Sequence, residues 1–166
     1  MFDHTIPKPV NLKAYAIHRM ATELCSGLPC QFVDRVDHFV VRTDREITNT
    51  AKKVIIPDLN SVIAFELRTS VSARRKNKNI YPVQQDWRFR REWLEKQGLR
   101  YGFQILAVHV NAKYMQIESS NDRKFWIDCS EFTGILKVTD TSLFSEAINK
   151  GIGRIGKAFG MGMLVI

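Results

Sequence analysis

A chain of 166 residues with 45% hydrophobic content is long enough for one large domain or two small ones sharing an interface, so disorder is not the expectation. Its net charge of +8 favours a polyanionic partner, while no uninterrupted apolar run approaches the ~18 residues of a membrane span. Residues 1–8 have no signal-peptide character, so a cytoplasmic protein without membrane contact is expected. Three cysteines, Cys25, Cys30 and Cys129, form an odd, poorly spaced set that reads as buried structural thiols; neither a disulfide framework nor a metal site is indicated, and no cofactor is implied.

In chain order, residues 1–9 make a poor first strand because Pro7 and Pro9 lack donors. Residues 12–24 are helical, with Leu12, Ala16, Ile17, Met20 and Leu24 within an arc of roughly 140° that forms the buried stripe. Tyr15, His18 and Thr22 fall almost opposite and are expected to face solvent or a ligand, with the phenol and imidazole one turn apart. Residues 32–42 read as a strand, and residues 53–56 and 62–71 as strands or parts of one long hairpin.

Charge concentrates next. Between Arg68 and Arg91 lie Arg68, Arg74, Arg75, Lys76, Lys78, Arg88, Arg90 and Arg91 against the single anion Asp86, which is nearly the whole excess. Each phosphate such a run neutralises releases condensed counterions, so a nucleic acid is the natural ligand. Residues 73–79 lack sizeable apolar side chains and are expected to be mobile until a ligand binds. Residues 86–97 are helical and close at Gly98, and residues 103–110, 113–119 and 125–128 are strands, with a tight turn at Asn121-Asp122. Arg123 and Lys124, beside that turn, are either a charged hairpin tip or a second contact for the ligand.

The last 35 residues, 132–166, alternate as a strand to Val138, then present Asp140 or Thr141 as the cap of a short helix that ends at Lys150-Gly151. Gly151, Gly153, Gly156, Gly160 and Gly162 follow, bracketing Arg154 and Lys157, before an apolar ending that reads as a final strand. Flexible backbone combined with two cations suits phosphate. The run Gly151-Ile152-Gly153-Arg154-Ile155-Gly156 matches a dinucleotide fingerprint in letters only, because a helix precedes it and no βαβ unit can follow it.

This tail resembles the C-terminal half of the CRISPR-associated endoribonucleases of the CasE type. Trp93-Leu94-Glu95-Lys96-Gln97-Gly98 followed by Tyr101-Gly102-Phe103 is similar to that family's helix-to-strand entry into its second half, and Phe65-Glu66-Leu67-Arg68 to the end of its first. The resemblance spans residues 12–166. It implies an α+β fold of tandem ferredoxin-like βαββαβ units, the first one trimmed, divided into an N-terminal half at 1–84 and a C-terminal half at 85–166. It also implies that Tyr15 and His18, which match the family's Tyr-x-x-His, belong to the catalytic site. A histidine on a polar helix face is otherwise more often idle, and His4, His38 and His109 are read as structural or surface residues.

The implied reaction is metal-independent cleavage of a repeat hairpin in precursor CRISPR RNA. The RNA's own 2′-hydroxyl attacks phosphorus, giving a 2′,3′-cyclic phosphate and a 5′-hydroxyl, with His18 moving a proton and Tyr15 positioning the phosphate. Arg154 and Lys157 are the candidates to stabilise developing charge, although the tail has one residue more between Gly153 and Gly160 than the family's usual spacing. Arg68, Arg74, Arg75, Lys76 and Lys78 are expected to grip the stem, helped by Arg123 and Lys124. Other subunits of a CRISPR interference complex are implied partners. Two rival readings use the same residues: a non-catalytic RNA-binding subunit, and a basic nucleic-acid-binding assembly factor.

Overall fold

The computed structural model describes residues 1–27, 30–76, 78–118 and 124–166, and does not describe the side chains of residues 74 and 75. The first sheet contains β1 (Phe2–Pro7), β2 (Gln31–Asp34), β3 (His38–Thr43) and β4 (Lys52–Lys53) in the antiparallel order β2-β3-β1-β4, and α1 (Ala14–Leu24) packs on one face. After β5 (Val62–Thr69) comes a separate hairpin of β6 (Ala73–Arg75) and β7 (Lys78–Ile80), then α2 (Trp87–Tyr101), β8 (Phe103–Glu118), β9 (Lys124–Val138), α3 (Thr141–Lys150) and β10 (Leu164–Val165). The second sheet runs β10-β5-β9-β8, also antiparallel, with α2 and α3 over one face. Among the described residues no helix is long and apolar enough to cross a membrane.

Several elements differ from the sequence expectation for identifiable reasons. β1 forms despite its prolines because Pro7 is its last residue and Pro9 lies beyond it, while β4 flanks β1 only at Phe2 and Asp3, so the missing N–H of Pro7 breaks no ladder on that side. Residues 32–42 are two strands, β2 and β3, turned at an exposed Val36. β4 and β5 do not pair as a hairpin. β4 joins β1, whereas β5 pairs with β9 and β10, so the sheets do not divide at residue 84. The segment expected to be mobile, 73–79, contains the two strands of the β6–β7 hairpin, with Lys76 at its turn in the left-handed region.

Helix α2 does not stop at Gly98. That glycine is interior and lets the carbonyl of Phe103 approach, since an added Cβ would lie 2.4 Å from it; the helix ends at Gly102, whose φ of +68° closes the last turn. Asp86 caps its start by accepting from Phe89 N, as Asp140 caps α3 by accepting from Leu143 N. β8 and β9 are continuous strands of 16 and 15 residues, where the sequence suggested four pieces. The expected strands 125–128 and 132–138 are joined through Cys129, Ser130 and Glu131. Asp128, Cys129 and Ser130 are all buried, because this stretch of β9 is covered on both faces. The turn expected at Asn121-Asp122 lies outside the described residues.

Two polar devices join the layers. Arg42 is buried, bonds the Asp3 carboxylate at 2.7 Å through Nε and Nη2, and donates from Nη1 to the carbonyls of Leu164 and Ile148. With Gln31, which donates to the Ile148 and Asn149 carbonyls, it meets the C-terminal end of α3, where unsatisfied carbonyls favour donors and positive charge. The second device is Arg90, wholly buried, which bonds Asp128, Ser130 Oγ and the carbonyls of Val83 and Asp86. Asp128 in turn accepts from Val71 N, so this ion pair holds the chain both where it enters and where it leaves the β6–β7 hairpin.

Candidate active site

Helix α1 is rotated relative to its sequence wheel. Its buried line is Ile17 and Ala21, continued by Cys25, while Leu12, Ala16, Met20 and Leu24 are only half-buried. Tyr15 is 42% exposed, as expected, but His18 sits on the rim between the buried and open faces. Its ring lies over Phe32 of β2, centroids 6.3 Å apart and planes at 26°, and the Tyr15 ring is 6.4 Å from it with the planes at 50°. Among the described residues no protein group bonds the Tyr15 hydroxyl or the His18 ring nitrogens, so both polar ends are free for a ligand. Phe32 was not picked out from the sequence. It stands on a different element, and nothing in its local pattern distinguishes it from an ordinary core aromatic.

The glycine-rich tail completes this corner. The 3-10 turn Lys157–Phe159 packs against α1 and β2, and Gly160, with φ of +73°, comes so close to Phe32 that an added Cβ would lie 2.9 Å from the ring. Phe32 therefore has the His18 ring and the loop backbone as neighbours. The loop is tied to the end of β5 by Gly162 N donating to the Arg68 carbonyl and to itself by Ile152 N donating to Gly162. Phe159 meets Phe125 of β9 edge to face at 6.1 Å, and Met161 joins Ile117, Ile127 and Cys129 against Ala14 of α1.

The cations named from the sequence separate into three groups. Lys76, Lys78 and Lys124 are exposed, the first two on the β6–β7 hairpin and the third at the end of β9. Arg74 and Arg75 lie on β6, and Arg123 lies outside the described residues. Arg154 is exposed with no protein partner among the described residues. Lys157 is exposed overall and donates to the Lys150 carbonyl at 2.7 Å, and partial desolvation of its ammonium holds the pKa below the usual lysine value.

Arg68, by contrast, is taken up inside: its guanidinium bonds Cys129 Sγ, the Asp34 carbonyl and Met115 Sδ and lies 3.8 Å from Glu131. Arg90 is the core ion pair, and Arg88 and Arg91 are paired along α2 with Glu92 and Glu95. Sequence alone could not sort these, because a surface arginine and a buried one have the same letter and the same neighbours. His4 is buried between the Thr43 and Thr48 hydroxyls. His38 pairs with the adjacent Asp37, and His109 is exposed on β8. Cys25 and Cys129 are buried thiols, the first pushed up to about 12 by burial and by neighbouring Cys30, which itself is only half-buried.

A family described as CRISPR associated protein matches residues 12–166. No curated protein matches the chain. Among solved structures the fold is similar to that of the CRISPR endoribonuclease Cse3 bound to a 19-nucleotide RNA, with TM-score 0.81 and 17% identity over 99% of this chain and 98% of that one. It is similar to Cas6e from Escherichia coli, with TM-score 0.75 and 16% identity over 99% and 98% of the two chains. It is also similar to a chain of a CRISPR RNA-guided surveillance complex, with TM-score 0.78 and 16% identity over 99% and 98%. At these identities the likeness establishes a shared α+β architecture of two four-stranded antiparallel sheets.

Proposed function

For a chain that belongs to the family of CRISPR-associated proteins, we propose the activity of an endoribonuclease that binds the repeat hairpin of precursor CRISPR RNA and cuts it by attack of the RNA's own 2′-hydroxyl. The observation that carries this is the corner where Tyr15 and His18, neighbours on α1 with free polar ends, lie beside a glycine loop bearing two cations. The two sheets are read as ferredoxin-like units that share one order of strands, the first lacking its second helix and the second beginning at β5.

In this reading the His18 imidazole takes the proton from the 2′-hydroxyl or gives one to the departing 5′-oxygen. Tyr15 O–H donates to a phosphate oxygen and fixes its position. As the phosphorus becomes five-coordinate, negative charge grows on its oxygens, and Lys157 or Arg154 stabilises it. The stacked Phe32 holds the imidazole plane without competing for either ring nitrogen. The β6–β7 hairpin, with Arg74, Arg75, Lys76 and Lys78, grips the stem through phosphates and shape, Lys124 reaches it from the start of β9, and Arg123, which lies outside the described residues, is assigned to it from the sequence. The architecture shared with a surveillance-complex chain supports retention beside other subunits of such a complex.

The test is chemical. A single 2′-deoxy substitution immediately 5′ of the scissile phosphate abolishes cleavage while hairpin binding persists, and excess chelator leaves the rate on unmodified RNA unchanged. Cleavage of the deoxy substrate, or inhibition by chelator, refutes the mechanism in favour of a metal-bound water. A folded chain that binds the hairpin and never cuts it is a non-catalytic subunit.

A further inference from the structure

A groove of about 690 Å³ lies between α2, the glycine loop and β7, and among the described residues no acidic side chain lines it. Its cations are Arg100, Lys150, Arg154 and Lys157. Two of these are occupied, because Lys150 pairs with Glu146 and Lys157 donates to the Lys150 carbonyl. The guanidiniums of Arg154 and Arg100 are not: the first has no protein partner among the described residues, and the second only stacks on the Tyr101 ring at 5.2 Å. Ser70, a residue 2% exposed, also lines the groove, and its Oγ has no hydrogen-bond partner among the described residues.

A buried unpaired hydroxyl ordinarily costs stability and is retained where ordered water or a ligand satisfies it. Ser70 follows the last residue of β5, and the glycine loop is fastened there by Gly162 N on the Arg68 carbonyl and Thr69 Oγ1 on the Ile152 carbonyl. That fastening carries Arg154 to the same groove as Ser70. One buried hydroxyl donor and two guanidiniums, with no carboxylate, select a phosphate. A rigid A-form stem cannot lower a phosphate onto a hydroxyl this deep, whereas a single strand can, and the half-buried Trp93 in the groove wall offers a surface for an unpaired base.

We infer that this groove binds a phosphodiester of unpaired RNA flanking the hairpin stem, through Ser70, Arg154 and Arg100. The inference rests on the RNA-processing reading and adds to it a contact for the unpaired flank; it assigns Arg154 to this groove, which leaves Lys157 as the cation for the charge that develops at the Tyr15–His18 corner.

The experiment uses the full chain with a non-pairing RNA pentanucleotide, with inorganic phosphate, and with cleavage-blocked 2′-deoxy hairpins that carry or lack three unpaired nucleotides at the foot of the stem. Calorimetry is expected to show pentanucleotide binding that Ser70→Ala and Arg154→Gln each weaken about tenfold. The roughly tenfold advantage of the flanked hairpin over the bare one is expected to vanish in both variants. Ser70→Ala breaks no protein bond, so its melting temperature is expected to equal or exceed that of the wild type. Pentanucleotide binding indifferent to both substitutions overturns the proposal, as does inorganic phosphate binding equally tightly. If the pentanucleotide binds through Ser70 and no repeat hairpin is ever cut, the nuclease reading fails and the groove stands. If hairpins are cut and the flank has no effect, the reverse holds.

Discussion

The two sheets solve burial differently, and the difference locates the chemistry. The second sheet has the larger core: α2 and α3 cover one face, Phe65, Leu67, Phe132 and Leu136 pack against Phe144 and Ile148, and Arg90 with Asp128 forms an ion pair wholly out of water. The first sheet has one helix and a smaller core around Ile17, Ala21, Phe32, Phe39 and Val41. Its helix borrows the rest. Ala14 packs on the far end of the β8–β9 ribbon, Lys13 pairs with Glu118, and the glycine loop closes on Phe32. A helix secured by its neighbours on two sides can leave its third side open, and that side carries Tyr15 and His18. Substitutions on the open rim should therefore change activity, while substitutions in the second layer should change folding.

The sharpest way to break this contrast is His18→Ala. Cleavage is expected to fall by about 10²–10⁴-fold in single-turnover assays, with hairpin affinity nearly unchanged because one imidazole adds little to a phosphate-dominated interface. Wild-type rates in a folded variant would remove α1 from the mechanism.

Asp128→Ala attacks the other side of the comparison. It strands the Arg90 charge in the core and frees the Val71 amide, so a loss of about 3–5 kcal/mol is expected in denaturant unfolding. Glu95→Ala, which breaks the exposed pair with Arg91, is the control and should hardly move the midpoint. Equal effects from the two would show that the second layer does not depend on its buried pair.

Replacing Arg74, Arg75, Lys76 and Lys78 together by alanine is expected to flatten the dependence of log K on log salt, by roughly 0.7 to 0.9 for each phosphate that the hairpin no longer neutralises. An unchanged slope means the hairpin is a solvated appendage and the stem lies elsewhere. Lys157→Arg gives a smaller, pH-dependent effect. Partial desolvation favours the neutral lysine, so the charge on Lys157 is lost at a lower pH than for a free lysine. If that charge serves cleavage, the wild-type rate falls early on the alkaline side, and the arginine variant, charged throughout, holds its rate further up. Coincident alkaline limbs would leave Lys157 as a cap on the last turn of α3 and nothing more.

Local pattern was enough for α1 with Tyr15 and His18 one turn apart, for α3 with its cap at Asp140 or Thr141, and for a tail of glycines enclosing Arg154 and Lys157, because caps, helical spacing and glycine runs are effects of near neighbours along the chain. The fold decided the rest. Whether Arg68 and Arg90 face RNA or the core, whether β5 belongs with β4 or with β9, and why β9 runs straight through Asp128 depend on partners such as Cys129 and Ser130 that lie tens of residues away. Phe32 beneath His18 and Ser70 beside Arg154 are likewise meetings of separate segments. Burial and pairing are properties of the folded surface, and a residue's letter records only what it can contribute once it is placed there.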